Sequence, residues 1–129
     1  MASLHRDIAI NASPDSVWAI VRDFGAVQKL APGFVIEAKL DGDARVVTFS
    51  NGNVAREMLV DCDEARRRLV YAISNERVKH YNAVVEVIGD GANSRLLWTI
   101  DVLPHEIAPY LSGQMDQAAS AMRQALGHA

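Results

Sequence analysis

The sequence predicts an α+β domain: seven antiparallel strands curve around one long C-terminal helix, with two short helices between strands 1 and 2. Three observations predict it. Turn residues recur at short intervals from Phe34 to Leu103, as Asp41-Gly42-Asp43, Asn51-Gly52-Asn53, Asn75-Glu76 and Asp90-Gly91-Ala92-Asn93, which marks a meander of strands. Ahead of that run, Ser13-Pro14-Asp15-Ser16 has the chemistry of a helix start. Behind it the apolar period lengthens to three and four, at Ile107, Leu111, Met115, Ala118, Met122, Ala125 and Leu126, the spacing of an amphipathic helix.

Taken in order, Leu4–Ile10 alternates, with Leu4, Ile8 and Ile10 on one face. Arg6 interrupts that face, near enough to the strand's start to be left wet. Ser13 then offers an N-cap hydroxyl, Pro14 a preset first helical residue and Asp15 a negative charge in the first turn. Val17, Ile20, Val21 and Phe24 supply the apolar face, with Gly25 as the stop, and a second short helix is expected over Ala26–Leu30. The strands that follow are expected at Val35–Leu40, Arg45–Ser50, Val54–Asp61, Arg68–Ser74, Tyr81–Ile88 and Arg95–Leu103. Asn51-Gly52 is expected to make a two-residue turn with both residues at positive φ. The last helix starts near Glu106, because Pro109 fits only a first turn, and runs to Leu126 over roughly 30 Å. Its inner stripe of alanines and methionines is thin for a helix that covers a sheet, which predicts space behind it.

The 129 residues form one domain, 1–129, with 50% apolar and 22% charged residues. A chain of this length buries about two-thirds of its unfolded surface and needs no staple. The net charge of −3 and the scattered basic residues argue against a nucleic-acid partner, which calls for a basic field. No apolar run approaches a membrane span of roughly 20 residues. The single Cys62 and the charged stretch Met1–Asp7 lead us to expect a soluble, cytoplasmic protein.

The order of elements is that of the helix-grip fold. Within it, Ala12-Ser13-Pro14-Asp15-Ser16-Val17-Trp18-Ala19-Ile20-Val21-Arg22-Asp23-Phe24-Gly25 resembles the opening of the polyketide cyclase/dehydrase and lipid-transport proteins of the START-like, Bet v 1-like (SRPBCC) superfamily. Arg56-Glu57-Met58-Leu59, Arg68-Leu69-Val70-Tyr71-Ala72-Ile73, Tyr81-Asn82-Ala83 and Ser94-Arg95-Leu96-Leu97-Trp98 continue the resemblance in the same order. It spans nearly the whole chain. Two segments depart from the pattern: the short stretch from Ile73 to Tyr81, and Pro104 to Pro109 before the last helix. The resemblance implies a cavity between sheet and helix for a lipid-, polyketide- or aromatic-like molecule. Residues expected to line it are Phe24, Phe49, Leu69, Tyr71, Tyr81, Trp98, Leu111, Met115, Ala118 and Met122. No cofactor is expected. The protein partner allowed for is a second copy of the chain, in a homodimer.

Pleating assigns Leu69, Tyr71 and Ile73 to one face, as it does Leu96, Trp98, Ile100 and Val102. Tyr81, Ala83, Val85 and Val87 form a third uncharged set. For Val54–Asp61 two assignments compete. Apolarity turns Val54, Arg56, Met58 and Val60 inward, whereas the resemblance turns in Ala55, Glu57, Leu59 and Asp61. A one-residue bulge exchanges them. Facing inward, Glu57 is the candidate catalytic acid or base, since burial raises a carboxyl's pKa towards neutrality. Facing outward, it pairs with a neighbouring arginine.

Other candidates carry less. His5, His80, His105 and His128 show neither an i, i+4 pair nor a nearby cysteine, so no metal site is expected. Cys62 lies among acids, which dull a thiol. Arg66-Arg67-Arg68 is flanked by Asp61, Asp63 and Glu64 and reads as a solvated turn. Trp18 reads as a packing residue. Three functions remain, in this order: a binding module for a small hydrophobic or aromatic ligand; a cyclase, dehydratase or lyase using Glu57 with Tyr71 or Tyr81; and a domain that binds a protein partner.

Overall fold

Alternation at the N-terminus becomes β1 (Ala2–Ile10), and the Ser-Pro-Asp-Ser start becomes α1 (Pro14–Val21) followed by a 3-10 segment, Phe24–Lys29. The meander comprises β2 (Val35–Asp41), β3 (Ala44–Phe49), β4 (Val54–Asp63), β5 (Arg68–Ile73), β6 (His80–Asp90) and β7 (Asn93–Leu103). A 3-10 turn, His105–Ile107, leads into α2 (Ala108–Leu126). This computed structural model describes residues 1–127, so His128 lies outside the described residues. All seven strands pair antiparallel in the order β1-β7-β6-β5-β4-β3-β2. A curved antiparallel sheet closed by one long C-terminal helix is the helix-grip arrangement expected from the order of elements.

Local chemistry sets the helix starts. The Ser13 hydroxyl accepts from the Ser16 N–H at 3.2 Å, and Pro14 opens α1. The helix ends sooner than its apolar spacing predicts, at Val21 rather than Phe24. Phe24 starts the 3-10 segment instead, which is kinked at Ala26. Gly25 is therefore no helix stop. Its missing side chain leaves room for Leu40 of β2, whose Cγ would sit 2.7 Å from a Cβ at that position. Pro109 lies in the first turn of α2 as expected, although residues 105–107 wind as 3-10 rather than α.

The core lies between the concave face of the sheet and α2. Ile8, Ile10, Val85, Leu96, Ile100 and Val102 meet Met115, Ala118, Ala119, Met122 and Leu126 there. Ala125, expected in the buried stripe, is exposed, and Ala119 takes its place. Arg6 is not left wet. Its Nε donates to Asp116 Oδ1 at 2.8 Å, and Nη2 donates to Ser112 Oγ at 2.7 Å. The one cation on the inner face of β1 thus ties that edge strand to α2. None of the described helices is long and apolar enough to cross a membrane.

Candidate functional site

The two competing assignments of β4 are resolved by its exposure pattern. Val54 and Val60 are 62% and 57% exposed, whereas Glu57 is only 6% exposed. Apolar alternation misleads here because the outer face of β4 carries Val54, Met58 and Val60 towards solvent. A bulge does occur, between Leu59 and Asp61, but beyond Glu57. It sets Cys62 rather than Asp61 opposite buried Leu69.

Glu57 is inward and paired as well. It lies directly across from Arg45 of β3, whose Nε donates to Glu57 Oε1 at 2.7 Å. Both side chains are buried, at 5% and 7% exposure. Arg45 also donates to the Phe24 carbonyl at 3.2 Å. Its guanidinium lies 4.2 Å from the Phe24 ring centre and 4.9 Å from that of Tyr71, within cation–π range. Sequence reasoning missed Arg45, and the reason is register. A two-residue Asn51-Gly52 turn would set Glu57 against Val46. The turn instead spans Ser50 to Asn53, with positive φ at Gly52 and not at Asn51. The Asn51 side chain closes it by accepting from the Asn53 N–H at 2.9 Å. Had that register been known, the opposite charges of Arg45 and Glu57 would have been the signal.

Beside this pair is a cavity of about 870 Å³ between the sheet and the first half of α2. Glu57, Tyr71, Tyr81 and Trp98 are among its polar-tipped lining residues; Phe34, Phe49, Ile73, Ile100, Leu111 and Met115 supply apolar wall. Its rim is built from Gly52 and Asn53, from the β5–β6 turn Asn75–Val78, and from Ile107 and Tyr110 at the start of α2. The Tyr110 hydroxyl accepts from Asn51 Nδ2 at 3.0 Å and from Asn53 Nδ2 at 2.9 Å, joining two sides of that rim. This cavity therefore lies along the N-terminal half of α2.

Four residues expected at the cavity are not among its lining. Leu69, Ala118 and Met122 are sealed in the core, and Phe24 stacks behind Arg45. The alanines of α2 let that helix approach the sheet closely, so they close space instead of opening it. Phe49, Tyr71, Tyr81, Trp98, Leu111, Met115 and Glu57 do line the cavity.

The electrostatics follow from burial. Burial pushes the Glu57 carboxyl above its ordinary value, and the Arg45 guanidinium pulls against that rise. Burial likewise pushes both tyrosine hydroxyls well up, with the nearby Glu57 carboxylate adding to the effect. At neutral pH both phenols therefore stay protonated, as hydrogen-bond donors. The Tyr71 and Tyr81 rings are 6.5 Å apart. The buried Trp98 Nε1 points at the Tyr71 hydroxyl without closing a well-formed hydrogen bond to it. Away from the cavity, Trp18 Nε1 donates to Glu64 at 2.8 Å, which fits its reading as a packing residue. Burial and the Glu64 carboxylate raise the Cys62 thiol.

A family model described as polyketide cyclase/dehydrase and lipid transport matches residues 1–127. Among curated proteins none matches the sequence. Solved structures do. The protein XoxI from Bacillus cereus is 24% identical, with a TM-score of 0.87 over 98% of this chain and 96% of that one. A START superfamily protein from Mycobacterium smegmatis is 14% identical, with a TM-score of 0.79 over 98% and 97%. Norcoclaurine synthase from Thalictrum flavum is 20% identical, with a TM-score of 0.69 over 95% and 91%.

Proposed function

Since the chain belongs to the polyketide cyclase/dehydrase and lipid transport family, we propose that it binds a small hydrophobic or aromatic molecule between its sheet and α2. The observation that carries this reading is the cavity itself. Its volume of about 870 Å³ falls in the range of small-molecule sites, roughly 300–1,000 Å³. Apolar walls with a few polar tips at one place are what such a site needs: the walls supply affinity, and the tips orient the guest. The test is native mass spectrometry of the purified full chain, with an environment-sensitive apolar dye as a second probe. A co-purifying small molecule, or saturable dye binding that a hydrophobic competitor displaces, supports the reading. The absence of both a bound mass and dye binding would refute it.

One observation favours a second reading, acid–base catalysis of a cyclase or dehydratase kind. A carboxyl raised by burial faces the same cavity as two tyrosines, and such a group exchanges protons nearer neutral pH. The Arg45 bond weighs against it, because a carboxylate held at 2.7 Å by a buried cation is a weakened base. Norcoclaurine synthase is an enzyme by name, but the likeness to it is one of fold. Conversion of a bound molecule by the wild type and not by Glu57→Gln would favour catalysis; binding without conversion favours the carrier.

A further inference from the structure

The floor of the cavity offers more hydrogen bonds than the protein itself uses. Glu57 gives Oε1 to Arg45, while Oε2 has no partner among the described residues. Glu57 is 6% exposed and lines the cavity, so its unpaired oxygen belongs to a buried side chain at the ligand space. Oε2 is not among the fully buried unpartnered atoms, so it is open to the cavity, where a donor on a guest can reach it. Tyr71 and Tyr81 line the same floor; their hydroxyls interact with each other, which still leaves the pair one O–H to donate to a guest.

Charge narrows the guest further. Arg45 and Glu57 form a neutral pair, and Arg45 is committed to Glu57, to the Phe24 carbonyl and to two aromatic faces. Beside Glu57 a carboxylate guest would set a second anion with Arg45 already committed, since the other cation that lines the cavity, Arg77, stands in the β5–β6 turn at the rim. An ammonium guest would be desolvated beside a carboxylate whose charge Arg45 already balances. Burying either ion has a desolvation cost that the site does not repay. A purely apolar guest would leave Oε2 unpaired.

We propose that the cavity selects a neutral aromatic molecule bearing a hydroxyl, whose O–H donates to Glu57 Oε2 and whose oxygen accepts from the Tyr71 or Tyr81 hydroxyl. This deepens the ligand-binding reading above and rests on it. The test compares four probes of one shape by calorimetry on the full chain at about pH 7: 2-naphthol, 2-methylnaphthalene, 2-naphthoic acid and 2-(aminomethyl)naphthalene. 2-Naphthol should bind about tenfold more tightly than 2-methylnaphthalene, the worth of one or two net hydrogen bonds. The acid and the amine should bind more weakly than 2-methylnaphthalene. In the paired variant Arg45→Met/Glu57→Leu, which removes the acceptor for the guest's O–H, the naphthol advantage should fall severalfold. Tyr71→Phe/Tyr81→Phe, which removes both candidate donors and serves if the first paired variant does not fold, should also reduce the advantage severalfold. Tighter binding of the acid or the amine than of 2-naphthol would overturn the proposal. So would a naphthol advantage that survives these substitutions undiminished. Binding of 2-methylnaphthalene with no naphthol advantage would overturn this proposal alone. Binding of none of the four would overturn the ligand-binding reading itself.

Discussion

Arg45 and Glu57 face each other across the β3–β4 ladder, and the consequences for stability are opposite for one substitution and for two. Removing one partner strands a buried charge, so Arg45→Met should lower stability by about 3–5 kcal/mol. Replacing both, as Arg45→Met/Glu57→Leu, should come within about 1–2 kcal/mol of wild type or exceed it, since the desolvation cost of both ions disappears. Urea denaturation of the three proteins checks this; equal losses in the single and paired variants would show that the pair is not a unit. Glu57 also predicts a pH dependence. Its folded pKa lies above the ordinary value of 4.5, so the unfolded chain releases its proton first as pH climbs. Stability from this group is thus complete below about 4.5 and declines as pH rises towards the folded pKa. Relative to Glu57→Gln, the wild type should therefore weaken with rising pH through that window. A difference between the two that stays flat with pH would mean the carboxyl is unperturbed.

At the scale of elements, the local signals that held were those whose partners lie a few residues away. Ser13 caps α1 through the Ser16 N–H, and Ser13→Ala should lower stability by about 1 kcal/mol; an unchanged urea midpoint would count against the cap. The C-terminal end of α1 was not legible. Phe24 continues the apolar spacing of Val17, Ile20 and Val21, yet it leaves the helix to stack on Arg45, a partner 21 positions away in the chain. Gly25 was misread for the same reason, since its role is set by Leu40 of β2. In the Asn51 turn, Asn-Gly signals a hairpin correctly but does not specify its length. One more residue on the β3 side or the β4 side reverses which side chains share a face.

For the whole molecule, the question is where α2 stands off the sheet. Leu111 lines the cavity, whereas Ala118 is 1% exposed in the packed core. Leu111→Trp should therefore be tolerated and should block dye binding. Ala118→Trp should cost about 1–3 kcal/mol or more by overpacking. Thermal denaturation and dye titration of both variants check this, and equal tolerance would move the cavity along the helix. The sequence by itself determined the α+β class, the seven strands and their meander, the Ser13 cap, and the faces of β5, β6 and β7. Periodicity and turn chemistry carry that information locally, one residue against its near neighbours. Tertiary structure alone decided that β4 turns Glu57 inward, that Arg45 meets it there, and that the alanines of α2 close the core while Leu111 and Met115 border the cavity. Those outcomes depend on strand register and on the distance between helix and sheet. Both are settled by packing among residues far apart in the chain, which no local pattern encodes.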